Sequence, residues 1–296
     1  MHAANFRGYV RARLGTLSRY LSRAYIAGPE LSDALQAFDR FAANGKAGTI
    51  GYFNLAGQAA GEIADIDRQV VAGLADGRQQ GYVSLKVPPL GYQTGLVEDI
   101  ARLAAAHGVG LHFDSHAIDT TDATFDCIEA ALRHTDQVGC TLPGRWPRSL
   151  ADAERAIALK LRVRVVKGQW PDPAAPTVDA NTGYLQVVDR LAGRARAVAI
   201  ATHDPVLARA ALARLLSANT PCEQEQLFGL PMRAVSALAR ELGVPVRVYI
   251  PFGAAWLPYA LTQLVRKPGT LWWLLRDALA ASGHHLRLLA GPTAKD

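Results

Sequence analysis

The sequence predicts an α/β protein of (β/α)₈-barrel type, and three observations carry the prediction. Short β-branched or apolar runs alternate with Ala/Leu/Arg-rich segments of helical period along the chain. The runs number eight, and eight such βα units over about 250 residues are the size of one barrel. No Pro/Gly/Ser-rich linker divides them, so residues 1–296 read as one domain, with 1–47 a helical lead and 48–296 the barrel. A doubly wound open sheet is the alternative, weakened by the lack of a Gly-x-Gly-x-x-Gly turn after the first strand.

Taken in order, the strands read as GTIGYF (48–53), YVSLKV (82–87), VGLHFD (109–114), QVGCTL (137–142), RVRVVK (162–167), AVAIAT (197–202), a weaker PCEQEQ (221–226) and VRVYI (246–250). Helical spacing fills the intervals at 61–77, 96–107, 121–133, 149–160, 180–193, 204–216 and 231–242. Asp204 before Pro205 makes an N-cap and first-turn pair, and Gly243 supplies a helix stop.

Half the residues are apolar and 20% are charged, so a large core can be buried. The formal charge of +6 arises from 32 Lys and Arg against 26 acids, without the basic and aromatic interleaving of a nucleic-acid groove, so nucleic acid is not an expected partner. Arg7, Arg11, Arg13, Arg19 and Arg23 all precede the first acid, Glu30. Tyr9, Val10, Leu14, Leu17, Tyr20 and Leu21 between them suit a helix packed on the body better than a transit segment. Cys127, Cys140 and Cys222 have no metal-type spacing, and with no secretory signal they point to a reducing cytoplasm, with peripheral contact to the inner membrane as a further expectation. Residues 248–265 carry no charge, yet Pro251, Gly253 and Pro258 would break a membrane span repeatedly.

A barrel places its chemistry at the carboxyl ends of the strands. The polar residues expected there are Lys86, Asp114, Arg164 with Lys167, Thr202-His203-Asp204, Glu223 with Glu225, and Tyr249. Lys86 needs either the mouth or a buried partner such as Asp114, and a structural ion pair competes evenly with a functional one. Arg164 and Lys167 have opposite strand parity, so only one can point inward. His112, Asp114 and His116 alternate in HFDSH, a metal reading that lacks further ligands beyond His203. Lys86 or Lys167 as a Schiff-base nucleophile would need a lowered amine pKa. The THD junction suits either phosphate or ordinary helix capping. After the last strand, Tyr259, Thr262 and Gln263 stand at i, i+3 and i+4 and can share one helix face.

The ordered pieces VSLKV, LHFDSH, VRVVKGQW, IATHD, EQEQLFGL and VYIPFGAAWLPYALTQL together resemble the flavin-dependent proline dehydrogenase family, as does the lead YIAGPELSDALQAFDRFAANGKAGTIGYF. The resemblance runs through nearly the whole chain. It implies a barrel with extra N-terminal helices and a final helix over the mouth, holding FAD. It further implies that Arg164 lies by the flavin N5, that Val166, Lys167, Gly168, Gln169 and Trp170 line the cofactor, and that Thr202, His203 and Asp204 meet its nucleotide end. Lys86, Asp114, Tyr249 and Tyr259 would surround the substrate.

Several positions depart from the family pattern. Thr262 and Gln263 stand where the family has two arginines that clamp a substrate carboxylate, and Arg266 where an acid is usual. Cys140 takes the place of a flavin-contacting glutamine, Gln169 of a small residue, and Asp204 of an asparagine. The resemblance therefore implies hydride transfer from a proline-like or other secondary amine to FAD, with free proline disfavoured and a quinone or oxygen as electron acceptor. A flavin-free barrel, either a lysine-dependent lyase or a non-catalytic ligand binder, is the rival expectation.

Overall fold

The computed structural model describes residues 27–254 apart from 76, 79, 80 and 170. The expected helix over the mouth, with Tyr259, Thr262, Gln263 and Arg266, lies outside the described residues, as do Trp170 and the arginine-rich lead.

Helix α1 (Leu31–Ala42) leads into β1 (Ala47–Tyr52), and seven helix–strand units follow. They are α2 (Ala60–Ala75) and β2 (Tyr82–Leu85), α3 (Thr94–His107) and β3 (Gly110–Phe113), and α4 (Thr121–Leu132) and β4 (Val138–Pro143). Next come α5 (Ser149–Ala158) and β5 (Arg162–Val166), α6 (Ala180–Leu191) and β6 (Ala197–Ala201), α7 (Pro205–Ser217) and β7 (Cys222–Leu227), and α8 (Arg233–Glu241) and β8 (Val246–Phe252). The strands pair in sequence order, all parallel, and β8 returns to β1 to close the barrel. Every strand expected from the sequence is present, with ends displaced by a residue or two. Asp204 caps α7 as anticipated, accepting from the Val206 and Leu207 N–H groups.

Strand alternation divides the core into two unlike layers. Outward-facing Val83, Leu85, Leu111, Phe113, Leu142, Val163, Val165, Val198, Ile200, Val248 and Ile250 are buried against the helices. Burying such side chains contributes roughly 1.5–3 kcal/mol each, so this outer layer carries the stability. The inward set is polar: Thr49, Tyr82, Ser84, His112, Thr141, Arg162, Arg164, Glu223, Glu225, Arg247 and Tyr249 follow one another around the ring by register. Barrels usually fill this space with branched apolar residues.

Helix α1 packs on the outer face of β1 and β8. Its Phe38 ring lies so close to Gly48 that a Cβ there would fall 2.3 Å from the ring, so the seam tolerates no side chain at that point. All three cysteines are free thiols. No described helix is long and apolar enough to cross a membrane.

Candidate active site

The carboxyl ends of β2, β3, β5 and β8 bring four expected residues together. Lys86 and Asp114 lie just past the ends of β2 and β3, and Asp114 N–H still bonds the Leu85 carbonyl, which carries the sheet one step further. The Asp114 carboxylate accepts from Arg164 Nη1 at 2.8 Å and from the Tyr249 hydroxyl at 2.9 Å. Lys86 Nζ stands 3.4 Å from the same carboxylate, donates to the Tyr249 oxygen at 3.1 Å and sits 4.3 Å above the Phe53 ring. The Arg164 guanidinium lies 5.1 Å from the Tyr249 ring centre.

Charge pairing outweighs burial in this cluster. Burial raises the Asp114 carboxyl, but Lys86 and Arg164 pull it below its ordinary value. Burial lowers Lys86, but Tyr249, Asp114 and Asp67 raise it overall. Lys86 therefore stays an ammonium, which corrects the expectation of a lysine with a lowered pKa and removes the condition for Schiff-base attack there.

The strand-parity expectation for Arg164 and Lys167 is met. Arg164 points inward and is buried, and Lys167 turns outward to within 3.5 Å of Asp204. Val166 shares the Arg164 face, and Gly168 backs onto Pro143 and Arg145.

Below the mouth runs an unbroken row of opposite charges. Glu225 pairs with Arg164 Nη2 at 2.5 Å and with Arg162 Nη2 at 2.8 Å. Glu223 joins Arg162 to Arg247, the latter at 2.9 Å. Glu223 thus sits deep in the barrel rather than at the mouth, because it is the second residue of β7. Burial raises Glu223, yet Arg162 and Arg247 hold it down at about 2.

Two of the histidines, His112 and His203, are held by hydrogen bonds within the protein. His112 Nδ1 accepts from Arg162 at 2.9 Å, which leaves Nε2 to donate to Thr141 at 2.9 Å. Burial and the flanking Arg164, Arg162 and Arg247 push His112 well below its ordinary value. His203 Nε2 accepts the Leu227 N–H at 3.0 Å, and Nδ1 donates to the Pro231 carbonyl at 2.9 Å. That imidazole ties the end of β6 to the loop after β7. No cluster of three or more metal-ligating side chains occurs among the described residues.

Thr202 receives the Asp204 N–H at 3.2 Å, so the THD triplet is largely satisfied by its own backbone. Cys140 faces away from the mouth. It borders a small cavity with Phe125 and Ile128 of α4 and Asp152 of α5, and burial pushes its thiol up to about 12.

Sequence reasoning passed over Thr141, Phe53 and Gly51. Gly51 had a readable signal, a lone glycine inside a strand, which marks close approach by another group. Here that group is the Tyr249 hydroxyl.

Comparison with known proteins matches residues 41–267 to the family model described as proline dehydrogenase. The chain is 23% identical over 280 residues to proline dehydrogenase 1 of Bacillus subtilis (strain 168), covering 88% of this chain and 92% of that one. It is 26% identical over 271 residues to the proline dehydrogenase of Deinococcus radiodurans, covering 84% and 86%. Among solved structures it matches proline utilization A from Bdellovibrio bacteriovorus inactivated by N-propargylglycine, with a TM-score of 0.74 and 17% identity over 84% of this chain. The chain spans about a third (33%) of that larger protein, and the likeness shows the shared barrel fold.

Proposed function

The chain belongs to the proline dehydrogenase family of FAD-dependent oxidoreductases acting on CH–NH groups, and from that premise we propose that it oxidises a secondary amine whose carboxylate is absent, masked or held differently from that of free proline. One observation carries this reading: the buried Arg164 guanidinium at the mouth, held by Asp114 on one side and Glu225 on the other, keeps its Nε–H without a hydrogen-bond partner among the described residues. A buried donor left unpaired costs about 1–3 kcal/mol, so an acceptor at this spot is supported on physical grounds.

The residues present fit a flavin at its ring end. Arg164 would face the ring, with Val166 beside it and Lys167, Gly168, Gln169 and Trp170 continuing along the cofactor. Thr202 would approach the nucleotide end, where His203 and Asp204 shape the junction through bonds they already make to the backbone. The Cys140 thiol, on the outer face of β4, takes no part in this proposal. When bound, FAD supplies a hydride acceptor for the carbon next to the substrate nitrogen, and a quinone or oxygen would receive the electrons afterwards.

The chain's own contribution is binding and orientation. Asp114 offers a carboxylate to the substrate nitrogen. Lys86 and Tyr249 hold that carboxylate in place from the side away from Arg164. The Tyr249 ring, together with Tyr259, would pack on the substrate ring. Thr262 and Gln263 give a carboxylate no charge-assisted partner where the family pattern has two guanidinium groups, so free proline loses several kcal/mol of binding by the usual magnitudes.

The test is the flavin content of the purified protein, followed by anaerobic bleaching of its visible band with cyclic amines, amino acids, their esters and carrier-bound forms. Bleaching by neutral or esterified amines in preference to free proline is the expected result. A colourless protein that takes up no FAD would refute the reading and leave a non-catalytic barrel, and preference for free proline would refute the altered substrate.

A further inference from the structure

Glu225 is a buried carboxylate at the middle of the interior row of charges, and neither ring orientation nor substrate binding accounts for it. Both its oxygens are engaged, Oε1 by Arg164 Nη2 at 2.5 Å and Oε2 by Arg162 Nη2 at 2.8 Å. Arg162 does not depend on it, because Glu223 also accepts from that guanidinium. Among the described residues, Arg164 has only Asp114 and Glu225 as anionic partners. The row comprises the cations Lys86, Arg164, Arg162 and Arg247 and the carboxylates Asp114, Glu225 and Glu223. Removing Glu225 would thus leave Arg164 paired with Asp114 alone among the described residues.

We propose that Glu225 is a positioning residue that fixes the Arg164 guanidinium and, by its negative charge, holds the reduction potential of the flavin below the value an unopposed arginine would give. The inference rests on the reading that a flavin lies beside Arg164. A positive charge next to the ring stabilises the electron density gained on reduction, and a carboxylate bonded to the back of that guanidinium cancels part of the field. In a buried, weakly screened setting a unit charge a few ångströms behind the arginine remains significant at the ring. Burial raises the Glu225 carboxyl, but Arg164 and Arg162 bring it below its ordinary value, so the charge persists across the neutral range.

The experiment compares the flavin reduction potential of holoprotein variants, equilibrated anaerobically against reference dyes. Glu225→Gln keeps the shape and removes the charge, and should shift the equilibrium towards the reduced form about tenfold, or roughly 30 mV upward for a two-electron couple. Glu223→Gln makes the same change one step further along the row, away from Arg164. Its shift should be less than half as large. Should Glu225→Gln fail to fold, Glu225→Asp retains the charge and is expected to stay within about threefold of wild type. An unchanged potential in Glu225→Gln, an equal shift in Glu223→Gln, or a tenfold shift in Glu225→Asp would each overturn the proposal. Wild-type protein that binds no flavin would remove this inference and the proposed function together, whereas flavin-bound variants of equal potential would remove this inference alone.

Discussion

Replacing Gly51 by alanine tests the geometry of the mouth with a single methyl group. A Cβ at this position would lie 2.3 Å from the Tyr249 hydroxyl oxygen, 2.8 Å from its Cζ and 3.3 Å from Lys86 Nζ. Ordinary contact begins near 3.4 Å, so the phenol must retreat by about 1 Å. The hydroxyl now bonds Asp114 at 2.9 Å and receives Lys86 at 3.1 Å, and a retreat of that size breaks or weakens both. Overpacking costs typically 1–3 kcal/mol, and losing a hydrogen bond to a charged group a further 1.5–3 kcal/mol. At roughly 2–4 °C per kcal/mol for a chain approaching this size, the unfolding midpoint should fall by about 5–25 °C. Turnover should fall about a hundredfold, the usual consequence of a misplacement near 1 Å, while flavin content stays constant because Arg164 and Glu225 do not touch Gly51. Calorimetry and single-turnover bleaching measure the two effects. A second arm uses Tyr249→Phe, which should slow wild type by about tenfold yet add little to Gly51→Ala, since the bond it deletes is already broken. Full stability and rate in Gly51→Ala, or strictly additive effects in the double variant, would refute this account of the mouth.

Three further outcomes are expected. Arg164→Ala should slow flavin reduction by about 10²–10³ with a smaller effect on substrate affinity, and unchanged reduction kinetics with only a raised KM would exclude its role at the ring. Asp67 is buried and its carboxyl is raised to about 7, chiefly by burial and against the pull of Lys86 and Arg68. Between pH 4 and 7, roughly, the folded protein keeps a proton that the unfolded chain has released, so Asp67 makes stability fall as pH rises through that window, by up to about 4 kcal/mol. Asp67→Asn should flatten the slope and be the more stable protein at pH 8, and denaturant melts with equal pH dependence in both proteins would contradict this. Replacing Thr262 and Gln263 by arginines should improve turnover of free proline, and no gain with FAD still bound would count against the missing carboxylate clamp.

The barrel was legible because its strands are short β-branched runs between helices with clear stops, and periodicity reports such contrasts well. The mouth was legible at Lys86, Asp114, Arg164 and Tyr249 for a related reason: a charged or phenolic group at the end of an apolar strand has few places to go. Parity separated Arg164 from Lys167, but it could not say which faced inward, since parallel strands buried on both faces lack the alternation that distinguishes them. The same ambiguity hid the outward turn of Cys140. Arg162, Glu223 and Arg247 were illegible as a connected row because each lies near the start of its strand and only register between distant strands joins them. His203 read as a ligand-facing residue, and its two backbone bonds depend on a loop whose course the sequence does not disclose.

The row of charges also constrains how the molecule can be assembled. Arg247 reaches the Gly48 carbonyl across 199 positions of sequence, and α1 overlies both strands of that seam. Arg164 can meet Asp114 within an amino-terminal half, but Arg162 emerges from synthesis well before its carboxylates Glu223 and Glu225, so such a half would enclose that guanidinium without either of them. This cylinder is consequently a poor candidate for splitting into two separately folding pieces, and its ring can shut only once the eighth strand has been delivered.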